Sequence, residues 1–137
     1  TFAKEFLTFV DFNYLNADEI KFNNNISDIK ASRLFLEELN KLLDKRENII
    51  IETTLSGKYI FKVIQKAKKF GYDIELFYIF VENYFENILR VKKRVLSGGH
   101  DVAIKDIKRR FYRSLANFNK LKDTIKWTLI FNGDDDF

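Results

Sequence analysis

Asn48-Ile49-Ile50-Ile51-Glu52-Thr53-Thr54 is the stretch that most limits what this chain can fold into. Three consecutive β-branched residues place methyl groups on both faces of an extended strand. Both faces must then be covered, which fits a buried strand of a parallel sheet. The run stops abruptly at a carboxylate and two hydroxyls. Asp73–Val81 (DIELFYIFV) is a second strong strand, Trp127–Phe131 a third, and Tyr14-Leu15 a short one before a polar Asn16-Ala17-Asp18 turn.

Helical patterns fill the intervals. Thr1–Leu7 sets Phe2, Ala3, Phe6 and Leu7 against Lys4 and Glu5. Asp28 is the expected N-cap of a helix over Ile29–Asp44, with Ile29, Leu34, Phe35, Leu39, Leu42 and Leu43 at helical spacing. Lys58–Phe70 is closed by Gly71 as a C′ residue. Asn83 caps a helix to Leu96, Gly98-Gly99 break it, and Ile104 to about Lys122 is helical again. Strands alternating with helices predict an α/β fold: a parallel sheet flanked by helices, in one domain over residues 1–137. Ligands of such sheets lie outside the carboxyl ends of the strands, which picks out Asp18, Glu52, Thr53, Thr54 and the polar residues after Val81. Ile49–Ile51 are expected in the core.

Composition narrows the classes. The chain is 46% hydrophobic and 32% charged, as a globular domain is. It has no apolar run long enough to span a membrane and no secretory leader pattern. The absence of cysteine removes disulfides and thiolate metal sites and suits a reducing, cytoplasmic setting. With one histidine besides, no donor set for a structural zinc remains. There is also no methionine and no proline, and the chain is expected to be part of a longer protein.

Charge is concentrated. Residues 90–113 hold nine basic side chains against Asp101 and Asp106, a net +7, which leaves the rest of the chain at −3. Arg90 and Arg94 are four apart on one helix; Arg110 and Arg113 are three apart on one face of the next. Guanidinium is planar, permanently charged and bidentate towards phosphate. Gly98-Gly99 permits a tight reversal that would bring both sets over one anion. A solvated surface face is the alternative for the same charges.

Four stretches, in order and spacing, resemble the zeta-toxin family of P-loop kinases, which includes relatives that phosphorylate UDP-N-acetylglucosamine. They are NADEI (16–20), ETTLSG (52–57), GGHDV (98–102) with RRFYRSLANF (109–118), and WTLIFN (127–132). The resemblance implies an ATP- and Mg²⁺-dependent kinase acting on a hydroxyl of a small substrate, a nucleotide sugar. In it Asp18 is the general base, and Asn16, Glu52, Thr53 and Thr54 hold the substrate. Arg94, Arg110 and Arg113 act on the phosphates, Gly98, Gly99 and His100 form a lid hinge, and no residue is assigned to metal. An antitoxin protein is a possible partner; nucleic acid and membrane are not expected. Ala103 departs from the family's proline, and Asn132-Gly133 lacks the family's preceding aspartate.

No G-x-x-x-x-G-K-[ST] occurs: Gly57-Lys58 is followed by Tyr59, and Glu52 stands five before Gly57. The resemblance therefore implies a chain that begins just after its Walker A loop. It would lack the central strand between Ile49–Ile51 and Ile74–Phe80, and be inactive and poorly stable or re-paired alone. Other roles stay open: Asp18 as a helix N-cap, Glu52 as a strand-end charge reaching solvent, the arginines as ordinary surface, and His100 as a hydrogen bond holding its turn. The competing function is a non-catalytic remnant that binds an antitoxin, an anion or nucleic acid, with Phe111, Tyr112 and Phe118 interleaved among the cations.

Overall fold

The structure, a computed structural model, describes residues 2–80, 83–99 and 101–131. In chain order the elements are α1 (Phe2–Phe6), β1 (Asn13–Asn16), α2 (Ala17–Asn24), α3 (Asp28–Asp44), β2 (Ile49–Glu52), α4 (Tyr59–Lys69), β3 (Glu75–Phe80), α5 (Tyr84–Leu96), α6 (Ile104–Leu121) and β4 (Lys126–Phe131). They fall into two compact units. One comprises the described residues up to Thr53 together with Lys62–Tyr72; the other comprises Thr54–Phe61 and the described residues from Asp73 onward.

In the first unit β1 and β2 pair in parallel, with Asn13 opposite Ile49 and Asn16 opposite Glu52. Parallel strands need a long crossover, and α2 and α3 supply it. α3 buries Ala31, Phe35, Leu39 and Leu43, a strict four-residue stripe. Ile29, expected on that stripe, lies on the opposite side and is 75% exposed; Leu34, at its flank, is also exposed. The helix starts one residue earlier than expected because Ser27, not Asp28, is its N-cap: the Ser27 hydroxyl accepts from the Lys30 N–H. The expected polar turn over Asn16-Ala17-Asp18 is likewise the start of α2, because Asn16 is its N-cap.

In the second unit β3 and β4 pair in parallel over six residues, Glu75 opposite Lys126 through Phe80 opposite Phe131. α6 lies against this sheet: the Tyr78 and Ser114 hydroxyls are 3.0 Å apart, and the Phe118 ring meets Tyr78 at 4.7 Å and Trp127 at 5.3 Å. α5 joins α6 through buried Ile88, Val91 and Ile107, with Tyr84 and Val102 against them.

The fold is therefore mixed α/β, with parallel pairing carried by two small sheets flanked by helices. Among the described residues β2 pairs only with β1, and β3 only with β4. Ile49, Ile50 and Ile51 are accordingly half-buried rather than core: in a two-stranded sheet, less of each strand is covered than inside a wider one. Val81, the last residue of the expected second strand, lies outside the described residues.

α4 ends as the sequence predicts. Gly71 has φ +81°; its N–H donates to Lys68 and that of Tyr72 to Ala67, a Schellman motif. A Cβ at Gly71 would meet nothing within 4 Å, so its substitution isolates the backbone cost of a left-handed residue. Gly71→Ala is expected to lower stability by about 1 kcal/mol, seen as a lower urea midpoint at unchanged slope. An unmoved midpoint would contradict the motif.

Candidate functional site

The β1–β2 register builds the first part of the site. Side chains two apart on a strand share a face, so Tyr14 and Asn16 project together, opposite Ile50 and Glu52. Tyr14 donates its hydroxyl proton to Glu52 Oε2 at 2.6 Å, and Asn16 Nδ2 donates to the same oxygen at 2.6 Å. Asn16 Nδ2 also lies 3.2 Å from the Tyr14 hydroxyl. Among the described residues no donor reaches Glu52 Oε1. The carboxylate is thus fixed by one oxygen and presents the other, with its acceptor capacity intact.

The other end of the Asn16 amide starts the next helix. Its Oδ1 accepts from the Asp18 N–H at 2.8 Å and the Glu19 N–H at 3.4 Å, so Asn16 is the N-cap of α2. One side chain therefore orients Glu52 and sets where Asp18 sits. Asp18 occupies the first turn of α2, where the helix dipole favours a carboxylate, and it is exposed. Glu19 pairs with Lys4, whose pKa is raised first by that hydrogen bond and further by the charges of Glu19 and Glu52. Around Tyr14 burial is the main force, and the bond to Glu52 adds to it: the phenol is held well above the ordinary tyrosine range and stays a donor. Three carboxylates and one ammonium give this end of the sheet a negative balance, which suits hydroxyl and amide donors.

Thr53 follows β2, half-buried. The next residues belong to the second unit. Thr54 Oγ1 and Ser56 Oγ are 2.7 Å apart and exchange a hydrogen bond. Between them Leu55 is 4% exposed and has φ +57°, a left-handed conformation that costs a branched side chain about 1–2 kcal/mol. Asn117 of α6 holds this turn: its Nδ2 donates to the Leu55 carbonyl at 2.7 Å and the Gly57 carbonyl at 3.1 Å.

The glycine pair closes α5 with a second Schellman motif. The Gly98 N–H donates to Val95 and the Gly99 N–H to Arg94 at 2.7 Å. Gly98 has φ +89°, and a Cβ on Gly99 would stand 2.9 Å from the Arg94 carbonyl oxygen, so each position excludes a side chain for its own reason. His100 lies outside the described residues, as do Asn132 and Gly133. Ala103 caps α6 without a side-chain bond, at φ −60°, a value proline also adopts.

Arg94, Arg110 and Arg113 are exposed, and among the described residues no carboxylate pairs with them; Arg109 is engaged by Asp106 at 3.1 Å. No cluster of three or more His, Cys, Asp or Glu side chains able to hold a metal exists among the described residues. A hollow of about 530 Å³ opens between α5 and α6, lined by Tyr84, Phe85, Ile88, Leu89, Lys92, Ile104 and Lys108. It contains none of the sequence-predicted site residues. No described helix is long and apolar enough to cross a membrane.

The Zeta toxin family model matches residues 9–136, nearly the whole chain. The chain belongs to the zeta toxin family. A relative from Haemophilus influenzae, itself named only as an uncharacterized protein, is 33% identical over 89 residues. That match covers 65% of this chain and 64% of the relative. No solved structure matches the chain.

Of the residues expected to form the site of this zeta toxin family chain, Asn16 and Glu52 touch, and Asp18 joins them through its backbone. Thr54, Gly98, Gly99, Arg94, Arg110 and Arg113 belong to the other unit. Sequence reasoning missed Tyr14 and Asn117. Tyr14 was legible only as a strand residue, although it stands two before Asn16 and so shares its face. Asn117 falls on the helical stripe of Arg110 and Arg113, seven and four residues after them respectively.

A phenol whose folded pKa is raised above its unfolded value of about 10 stabilises the fold below that pH, and the contribution is lost as pH rises further. Ultraviolet titration of the chain's six tyrosines should show Tyr14→Phe removing ionisation only from the high-pH end. Loss of a group titrating near pH 10 would show that the Tyr14–Glu52 bond does not form.

Proposed function

We propose that this chain forms the acceptor-binding and cation-bearing part of a kinase of zeta-toxin type. The reaction is transfer of a phosphoryl group to a hydroxyl of a small substrate, a nucleotide sugar such as UDP-N-acetylglucosamine. The observation that carries the reading is the Glu52 carboxylate, tied by Tyr14 and Asn16 at the carboxyl end of β2 in a chain matched by the zeta toxin family along residues 9–136.

The roles follow from the chemistry of each group. Glu52 Oε1 accepts a hydroxyl or amide of the acceptor, with Asn16, Thr53 and Thr54 as further polar contacts. Asp18, exposed in the first turn of α2, accepts the proton of the attacking hydroxyl as general base. Arg94, Arg110 and Arg113 neutralise phosphate oxygens. Gly98, Gly99 and His100 act as the hinge that lets the arginine helices reach the ligand.

ATP and Mg²⁺ belong to this reading, but the residues present do not build their site. The sequence has no Walker A loop, and no metal-holding cluster exists among the described residues. The reading also sets the protein in the cytoplasm, with an antitoxin as possible partner. The alternative, a non-catalytic remnant that binds an antitoxin or an anion, keeps the same arginines without the chemistry. A nucleic-acid role draws less support, because Phe118 is spent on Tyr78 and Trp127, and Phe111 on Tyr84 and Tyr112.

Full-length protein is incubated with ATP, Mg²⁺ and UDP-N-acetylglucosamine, and product is followed by ³¹P NMR. The wild type is expected to yield a sugar phosphate. Asp18→Asn should lower turnover by about 10²–10⁴-fold while calorimetry shows acceptor affinity unchanged. Glu52→Gln should act mainly on acceptor KM. No phosphoryl transfer by the wild type across nucleotide-sugar acceptors would favour the remnant; full activity of Asp18→Asn would remove the base assignment.

A further inference from the structure

The turn after β2 is strained, buried at its centre and tied to the arginine helix, and the family reading assigns that tie no role. Leu55 adopts a left-handed backbone that glycine or asparagine would take more readily, and its side chain is buried. Such conformations persist where the surroundings over-determine them, and they gather at ligand sites. Here the surroundings include one side chain, the Asn117 amide, which satisfies the carbonyls of Leu55 and Gly57 at once. The turn and α6 belong to the same unit.

The same helix face carries cations. Arg113 precedes Asn117 by four residues and Arg110 by seven, so all three lie along one stripe of α6, about 6 Å and 10 Å apart along its axis. Neither arginine has a carboxylate partner among the described residues. The turn presents the Thr54 and Ser56 hydroxyls as a hydrogen-bonded pair. We propose that Asn117 is a positioning residue that joins the Thr54–Ser56 turn to the Arg110–Arg113 stripe as one surface for a phosphorylated, hydroxyl-bearing ligand. The hydroxyl pair meets hydroxyl or phosphate oxygens, and the guanidiniums meet the anion. Asn117 touches no ligand itself; it keeps the turn and the stripe in fixed relation.

The kinetic part of this inference rests on the phosphotransferase reading, and the structural part does not, so two measurements are made on the full-length protein. The first is amide hydrogen exchange. In Asn117→Ala the amides of residues 55–58 should exchange at least about tenfold faster, as expected for losing one or two hydrogen bonds. The amides of Ile88, Val91 and Ile107 should keep their wild-type rates. The second is the acceptor KM with UDP-N-acetylglucosamine, expected to rise about tenfold with kcat little changed. A merely structural asparagine would instead lower the active fraction, and so kcat, with KM unmoved. Where the alanine variant does not fold, Asn117→Leu, which is of similar size, removes both N–H donors without adding charge to the arginine stripe and is read in the same way. If the wild type transfers no phosphate, calorimetric binding of UDP-N-acetylglucosamine replaces the kinetics: about tenfold weaker binding with faster turn exchange supports the proposal, although the kinase reading has failed. Wild-type exchange at residues 55–58, or faster exchange with unaltered KM or binding, overturns it.

Discussion

The parallel pairing of β1 with β2, in the register that sets Asn16 opposite Glu52, is the constraint from which the arrangement around Glu52 follows. A shift of one residue would turn every side chain of β1 to the other face. Tyr14 and Asn16 would then leave Glu52, and α2 would lose the cap that places Asp18. Two hydrogen bonds of 2.6 Å converge on a single carboxylate oxygen, and bonds of that kind, with a charged acceptor, are among the stronger ones a protein makes. They hold Glu52 in one orientation before any ligand arrives. The loss of rotamer freedom that binding would otherwise demand has already been met in folding.

A second feature recurs where helices stop. α4 and α5 both end in Schellman motifs, with Gly71 and Gly98 in the left-handed region. At the end of α3 that conformation falls on Arg46, whose guanidinium lies 4.9 Å from the Phe70 ring. These are helix endings, and their geometry is explained by carbonyls that need donors. Leu55 is different. It follows no helix, and the donors to its turn come from a side chain sixty-two residues away. Strain there is held by tertiary structure, which is why the turn and α6 are coupled in the fold.

Much of this was legible in the sequence, and the failures have physical causes. The isoleucine run, the DIELFYIFV strand, the Asn83 cap and the Gly71 and Gly98 stops were readable because each rests on local rules of period and backbone preference. Glu52 was reached from its place at a strand end and the arginines from their charge and spacing, whereas Asn16 was reached through a resemblance; of these, Asn16 and Glu52 touch. Local chemistry also misled. Asp28 and Ser27 are both good caps, and Asn16 outcompeted the expected turn by capping a helix. Depth was the weakest inference: the apolar character of Ile29 and of Ile49–Ile51 says nothing of how many neighbours cover them. Tyr14 and Asn117 were invisible because their partners are thirty-eight and sixty or more residues distant.

The central claim is that Glu52 is a ligand-binding carboxylate aimed by Tyr14. A double-mutant cycle tests it most directly: Tyr14→Phe, Glu52→Gln and the pair, each titrated calorimetrically with UDP-N-acetylglucosamine in the full-length protein. The account predicts that removing the phenol weakens binding only while the Glu52 carboxylate is present, a coupling of about 1 kcal/mol or more. Additive losses, or a Glu52→Gln variant that binds as tightly as the wild type, would contradict it.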